Sequence, residues 1–287
     1  MSARRFASSA PQPIGPPRLD RLSALLEGLA PQVTLTSAGP GALVVPESAP
    51  AEQALCVYLL SGGTLRLRCA GTTIPVPGPA LFALHAGQTH RLDALPSPAR
   101  GRLICARTRL TGPVATLFLE EFSKPRVLSL EDDEPSLRLA IALIEQELNA
   151  PRCGQPALLD RAGDILFIGL LRHLVEHPSA QGTGLFNGLA DPRIAKALVA
   201  MHQRPASDWS LERLAEVAGM SRTGFAVTFR NVMQRTPGKY LSAIRLAMAQ
   251  RAVELGKGLK EAARTAGYQN ASALSRALGR ARGPHAE

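Results

Sequence analysis

The stretch Leu211-Glu-Arg-Leu-Ala-Glu-Val-Ala-Gly-Met-Ser221, followed by Phe225 and Phe229, reads as two short helices joined by a tight turn. Leu211, Leu214, Ala215 and Ala218 fall on one helical face, Gly219 permits a left-handed backbone at the turn, and Ser221 can cap the second helix. Phe225 and Phe229, four apart, anchor that helix on the first, which completes a helix-turn-helix pattern. The pattern recurs. Leu259, Ala262, Ala263, Ala266, Gly267 and Tyr268 repeat Leu211, Leu214, Ala215, Ala218, Gly219 and Met220 at an offset of 48 residues. Asn270, Leu274 and Leu278 then take the places of Ser221, Phe225 and Phe229, with one extra residue in the turn.

Between the copies, Pro237–Leu255 reads as one helix with proline at its start and Gly256 at its end. Such a helix is about 28 Å long. It would hold two recognition helices roughly one DNA turn, about 34 Å, apart, so a single chain could enter two successive major grooves. Charge points the same way. Of the formal net charge of +10, residues 191–287 carry +9, with 16 Lys and Arg against 7 Asp and Glu, whereas residues 1–190 are nearly balanced at 17 against 16. An αα-hairpin without DNA function could share the apolar spacing of one copy, but two copies, a spacer helix and a basic third of the chain point to double-stranded DNA.

Working outward, 287 residues predict two domains. Residues 1–18 are rich in proline and lack an apolar run, predicting a disordered tail with no export signal, and the chain holds no uninterrupted apolar stretch of about 18 residues. A soluble cytoplasmic protein is expected, with no membrane partner. Leu19–Leu29 reads as a helix; Val33–Thr36, Ala42–Val45, Ala54–Leu60, Thr64–Cys69, Thr72–Val76, Ala80–Leu84 and Gly101–Arg109 read as strands of a small barrel or sandwich. Two helical segments follow, one with Leu137, Ile141, Ile144 and Leu148 in a stripe and one over Ala157–His177. The stripe fits either a dimer seam or a face packed on the barrel. The uncharged, glycine-rich residues 179–190 predict the interdomain linker.

Residues 191–287 resemble the DNA-binding domain of the AraC/XylS family of bacterial transcription regulators, on DPRIAKAL, W-S-L-E-R-L-A, AGMS, TPGKYL and AGY. Leu55–Leu92 is similar to the cupin-type sensor barrel of one subgroup, and LICAR near Cys105 resembles the strand that follows it. The resemblance implies an α+β multidomain protein: a cupin-like sensor β-barrel with flanking helices and a helical dimerisation block over 19–178, then an all-α double helix-turn-helix over 191–287. It implies a homodimer that regulates transcription in answer to a small-molecule or oxidant effector, with RNA polymerase a candidate partner and the choice between activator and repressor left open. No catalysis and no cofactor are implied.

The residues placed at the starts and faces of the recognition helices, within reach of phosphates or base edges, are Ser221, Arg222, Thr223, Ala226, Arg230, Lys239, Asn270, Ser272, Ser275, Arg276 and Arg280. The first recognition helix departs from the family in carrying Val227, which donates no hydrogen bond, where the second has Arg276; the chain also stops at RARGPHAE, short of the family's usual end. His85 and His90 have four residues between them and no following Glu-x-His, so no metal site is expected. Cys56, Cys69 and Cys105 are redox-sensing candidates. With Gly62-Gly63 as a hairpin turn, Cys56 would face Cys69; with Ser61-Gly62 as the turn, the thiols would be diagonal at about 7 Å. Two rival functions remain: a cupin enzyme fused to a DNA-binding tail, and a regulator with decayed DNA binding that acts through heterodimers.

Overall fold

The computed structural model describes residues 20–38, 43–45, 53–94, 101–130, 135–178 and 182–282. The expected tail, part of the expected linker and the last five residues lie outside the described residues. Asp20 accepts from the Ser23 N–H at 2.8 Å and so caps α1 (Arg21–Leu29). The strands are β1 (Pro31–Ala38), β2 (Leu43–Val45), β3 (Ala54–Leu60), β4 (Thr64–Cys69), β5 (Thr72–Pro77), β6 (Ala80–His85), β7 (His90–Ala94) and β8 (Leu103–Leu110). After α2 (Ala115–Leu119) and a 3-10 turn at Glu120–Phe122 comes β9 (Arg126–Ser129).

The described strands do not close into the expected barrel. They form a five-stranded sheet, β1-β8-β3-β6-β9, and a four-stranded sheet, β2-β7-β4-β5, both antiparallel. The physical reason lies in β3, whose two edges are taken by β6 and β8, so the chain crosses to the other sheet at Gly62-Gly63 instead of turning back on itself. Being central, β3 is buried on both faces. Cys56, Tyr58 and Leu60 point into the core between the sheets, and Leu55, Val57 and Leu59 point into the core beneath the helices. The strands β7 and β9 escape a pattern search because each is short and carries few apolar residues.

Helices α3 (Pro135–Asn149) and α4 (Gln155–Glu176) form a hairpin laid over β1, where Gly163 lets α4 approach Val33 and Leu35. The stripe on α3 is spent inside its own chain. Leu137 and Ile144 are 3% and 0% exposed, Ile141 and Leu148 pack on the same core, and Leu137 fills the space that a side chain on Gly169 would need. This corrects the dimer-seam alternative: α4 consumes the apolar face before a partner could.

Residues 185–190, placed by sequence within the linker, form helix α5 (Leu185–Ala190), with Leu185, Phe186 and Leu189 buried. It packs on α6 (Pro192–Gln203) and on α8 (Arg222–Met233), which follows α7 (Leu211–Ala218). The spacer α9 (Pro237–Glu254) leads to α10 (Leu259–Thr265) and α11 (Ala271–Arg282). One continuous core runs from the larger sheet through α5 to the first half of α9. The second helix-turn-helix has a small core of its own, Ala249, Ala252, Ala262, Ala263, Ala266 and Leu274.

Candidate nucleic-acid interface

The two helix-turn-helix units are built by the same local chemistry. At the first turn Gly219 is left-handed at φ 67°, and the Met220 N–H returns to the Ala215 carbonyl at 2.9 Å; at the second, Gly267 has φ 74° and the Tyr268 N–H returns to the Ala263 carbonyl at 2.9 Å. The 48-residue offset therefore holds in hydrogen bonding as well as in sequence. Ser221 caps α8 through the Gly224 N–H at 3.2 Å, and Asn270 caps α11 through the Ala273 N–H at 2.8 Å, one residue later in its copy. Ser210 and Thr236 cap α7 and α9 in the same way.

These caps orient the outer faces of α8 and α11. On α8, Arg222, Thr223 and Arg230 are exposed beside the half-buried Ala226, while Phe225 and Phe229 are fully buried on the opposite side. On α11, Ser272, Ser275, Arg276 and Arg280 are exposed, and Leu274 alone is fully buried. Val227 is 55% exposed at the position Arg276 occupies in the second copy, so an apolar side chain stands in solvent where its counterpart presents a guanidinium. Lys239 is exposed in the first turn of α9.

Arg222 is engaged within the chain. Its Nε lies 2.9 Å from Oε1 of Glu212 on α7, whose carboxyl is held below the usual range by its own backbone N–H, by the Ser210 hydroxyl and by Arg222. A phosphate reaching Arg222 competes with that carboxylate.

Other residues fix the frame at sequence separations no pattern reveals. Arg245 of α9 donates to the carbonyls of Pro205 and Ser207 at 2.8 and 2.7 Å, tying the spacer to the loop before α7. Tyr240 and His202 share a 2.7 Å hydrogen bond in a fully buried site, where burial lowers the His202 pKa to about 4. His202 Nδ1 has no partner there.

In the N-terminal half, Cys56 and Cys69 are not cross-strand partners, because β3 and β4 belong to different sheets. Cys56 is paired with Leu84 and Arg107, Cys69 with Thr72 and His90. Both thiols still point into the same inter-sheet core. There the Tyr58 hydroxyl adjoins the thiols of Cys105 and Cys56 and is bonded to His90 Nε2 at 2.7 Å. The His90 Nδ1 faces the Gln88 carbonyl at 2.8 Å, which makes Nδ1 the protonated nitrogen and Nε2 the acceptor of the tyrosine proton. Burial raises the Cys69 pKa and lowers that of His90, so both are held neutral. Among the described residues no three His, Cys, Asp or Glu converge to hold a metal ion. Nor is any described helix long and apolar enough to cross a membrane.

Residues 20–176 match the family model described as Cupin, and residues 214–283 match a model described as Helix-turn-helix domain. The HTH-type transcriptional regulator AlkR of Acinetobacter baylyi is 30% identical over 251 residues, covering 78% of this chain and 80% of that protein. A Streptomyces lividans protein named as an AraC-like transcription regulator is 29% identical over 236 residues, covering 79% of this chain and 75% of its own length. The chain belongs to the AraC-like transcription regulators. It is a DNA-binding regulator in which a cupin domain precedes a helix-turn-helix pair. The RCS-specific activator RclR of Escherichia coli K12 is 27% identical over 246 residues, with 80% and 82% of the two chains covered. Among solved structures, ToxT from Vibrio cholerae O395 aligns over 88% of this chain and 93% of its own, at 9% identity and TM-score 0.35. The DNA-binding domain of AdpA in complex with a target DNA aligns over 32% and 84%, at 29% identity and TM-score 0.31.

Proposed function

We propose that this AraC-like regulator acts in the cytoplasm as a homodimer, reads DNA chiefly through α11 and anchors through α8. Arg222, Thr223, Arg230, Lys239 and Arg280, with Ser221 and Asn270 at the helix starts, contact phosphates. Ser272, Ser275 and Arg276 face base edges, and Ala226 and Val227 offer only apolar contact. The observation that carries this division is the exposed Arg276 on α11 at the site of the exposed Val227 on α8.

Selection of duplexes from random DNA by the wild-type protein and by Arg276→Ala tests it. The variant should lose affinity for the selected site by about 1–3 kcal/mol more than for scrambled DNA. An equal loss on both would make Arg276 a phosphate anchor and overturn the division.

The N-terminal domain supplies the signal. A small-molecule effector is served by the cleft of about 520 Å³ between Arg109–Pro113 and the second half of α9. An oxidant would instead act on Cys56, Cys69 and Cys105, of which Cys105 is the most accessible. Dimerisation uses the outer side of the α3–α4 hairpin, where Leu139 and Ile165 are 71% and 41% exposed. Contact with RNA polymerase follows from the family resemblance alone.

A further inference from the structure

The cupin domain grips the first helix-turn-helix through a short acidic segment, and that segment is hydrogen-bonded back to the core that holds the thiols. The grip is made by Glu120 and Glu121 of the 3-10 turn. Glu120 pairs with Arg235, which lies in the bend between α8 and α9. Glu121 is largely buried; its Oε1 accepts the Leu185 N–H at 2.6 Å, at the start of α5, and its Oε2 lies 3.1 Å from Arg126. Arg126 also donates to the Glu121 carbonyl at 3.0 Å and lies against the rings of Phe122 and Phe186.

The receiving side is shaped for this carboxylate. Gly184 has φ 109°, and a Cβ there would stand 2.6 Å from Glu121 Oε1, so no larger residue fits without displacing it. The Gly184 N–H donates to the Val232 carbonyl of α8 at 2.8 Å, which joins the carboxylate's seat to the recognition helix itself. The far end of α5 is held too, by Arg21 donating to the Leu189 carbonyl at 2.8 Å.

The link inward runs through Gln88. Its Nε2 donates to the Ser123 carbonyl at 2.7 Å, immediately after the 3-10 turn, and the Ser123 N–H closes on the Glu120 carbonyl at 3.2 Å. Its Oε1 accepts from the Cys69 thiol at 3.7 Å, and its backbone carbonyl orients His90, which holds the Tyr58 hydroxyl beside Cys56 and Cys105. One residue therefore touches the Cys69 thiol, the Tyr58–His90 pair and the segment that grips the DNA-binding half.

We infer that Gln88 is the coupling residue between the cupin core and the DNA-binding half, acting through the Glu120–Ser123 segment on α5 and the end of α8. This rests on the sensor role proposed above for the cupin domain and names the route by which it acts. The segment reaches α8 only at its C-terminal end, through Arg235 just beyond it and through Gly184 bonded to Val232, while Arg222, Thr223 and Arg230 remain exposed. Releasing the grip therefore leaves the DNA-facing surface intact and removes only its communication with the core.

Coupling between two sites is reciprocal, so DNA must alter the core as the core alters DNA binding. The full-length protein is incubated with N-ethylmaleimide, with and without a duplex selected from random DNA, and modification of each cysteine is followed by mass spectrometry. The exposed Cys153 serves as the internal control. In the wild type, bound DNA should slow modification of Cys69 and Cys105 at least about fivefold, because a fixed recognition helix steadies the grip and makes opening of the core rarer.

Gln88→Ala and Glu120→Ala should bind the duplex and lose that protection; Gly184→Ala, which disturbs the grip from the other side, should lose it as well. Unchanged thiol rates in the DNA-bound wild type would overturn the route, as would wild-type protection in Gln88→Ala, whatever Glu120→Ala shows. Failure to select any duplex would instead count against the DNA-reading residues, so the two ideas fail separately.

Discussion

Replacing both members of the buried pair on α6 and α9, as His202→Leu/Tyr240→Phe, should leave the DNA-binding half folded and remove much of its acid sensitivity. His202 is fully buried and its pKa is lowered from 6.5 to about 4. In the unfolded chain it takes up a proton as pH falls through about 6.5, while in the folded chain it refuses one until about pH 4. The contribution is therefore fully present above pH 6.5, erodes as pH falls, and is spent at pH 4. At about 1.4 kcal/mol per pH unit, that window is worth roughly 3 kcal/mol. His202→Leu alone also removes the slope, but it leaves the Tyr240 hydroxyl buried without its partner and should cost about 1–3 kcal/mol at every pH.

Urea unfolding followed by the fluorescence of Trp209 is the assay, since this is the chain's one tryptophan and its indole N–H is bonded to the Arg204 carbonyl just beyond α6. Subtracting the double variant from the wild type cancels the carboxylates and other histidines that titrate in both. A double variant whose stability falls between pH 6.5 and pH 4 as steeply as the wild type's would refute the assignment.

Gly267→Ala should destabilise the second unit far more than Gly219→Ala does the first: both glycines are left-handed, but only at Gly267 would the new Cβ strike backbone, 2.7 Å from the Ala206 oxygen. Thermal melting of the two variants checks the order, with about 1 kcal/mol expected at Gly219. Ile144→Asp should unfold the N-terminal half and not merely yield folded monomers, because a carboxylate would enter a site with no exposure; sedimentation together with circular dichroism separates the outcomes. Amides of α10 and α11 should exchange hydrogen faster than those of α7 and α8, since five alanines and Leu274 bury less apolar surface than a core containing Phe225 and Phe229. Equal protection would show that the second unit draws stability from elsewhere.

What the sequence determined was local. A helix-turn-helix needs an apolar face, a left-handed glycine and a cap within about twenty residues, so both copies, their offset and the exposed faces of α8 and α11 were legible. The spacer helix was legible for the same reason, from Pro237 to its end beside Gly256. Strand identity was also local, and the strands from β3 to β6 fall where their β-branched and apolar runs place them.

Strand partnership was not. Gly62-Gly63 looks like a hairpin turn, but β3 had two competing partners, β6 and β8, and only the packed sheets decide which edges a strand gives away. Moving β4 to the other sheet separated Cys56 from Cys69 as strand partners and placed Gln88 between Cys69 and Ser123 instead. The stripe on α3 met the same ambiguity: spacing shows that a face is apolar, and tertiary packing alone says that α4 covers it. Contacts such as Glu120 with Arg235, 115 residues apart, leave no trace in periodicity, because charges at the surface can be met from any direction until the fold chooses one.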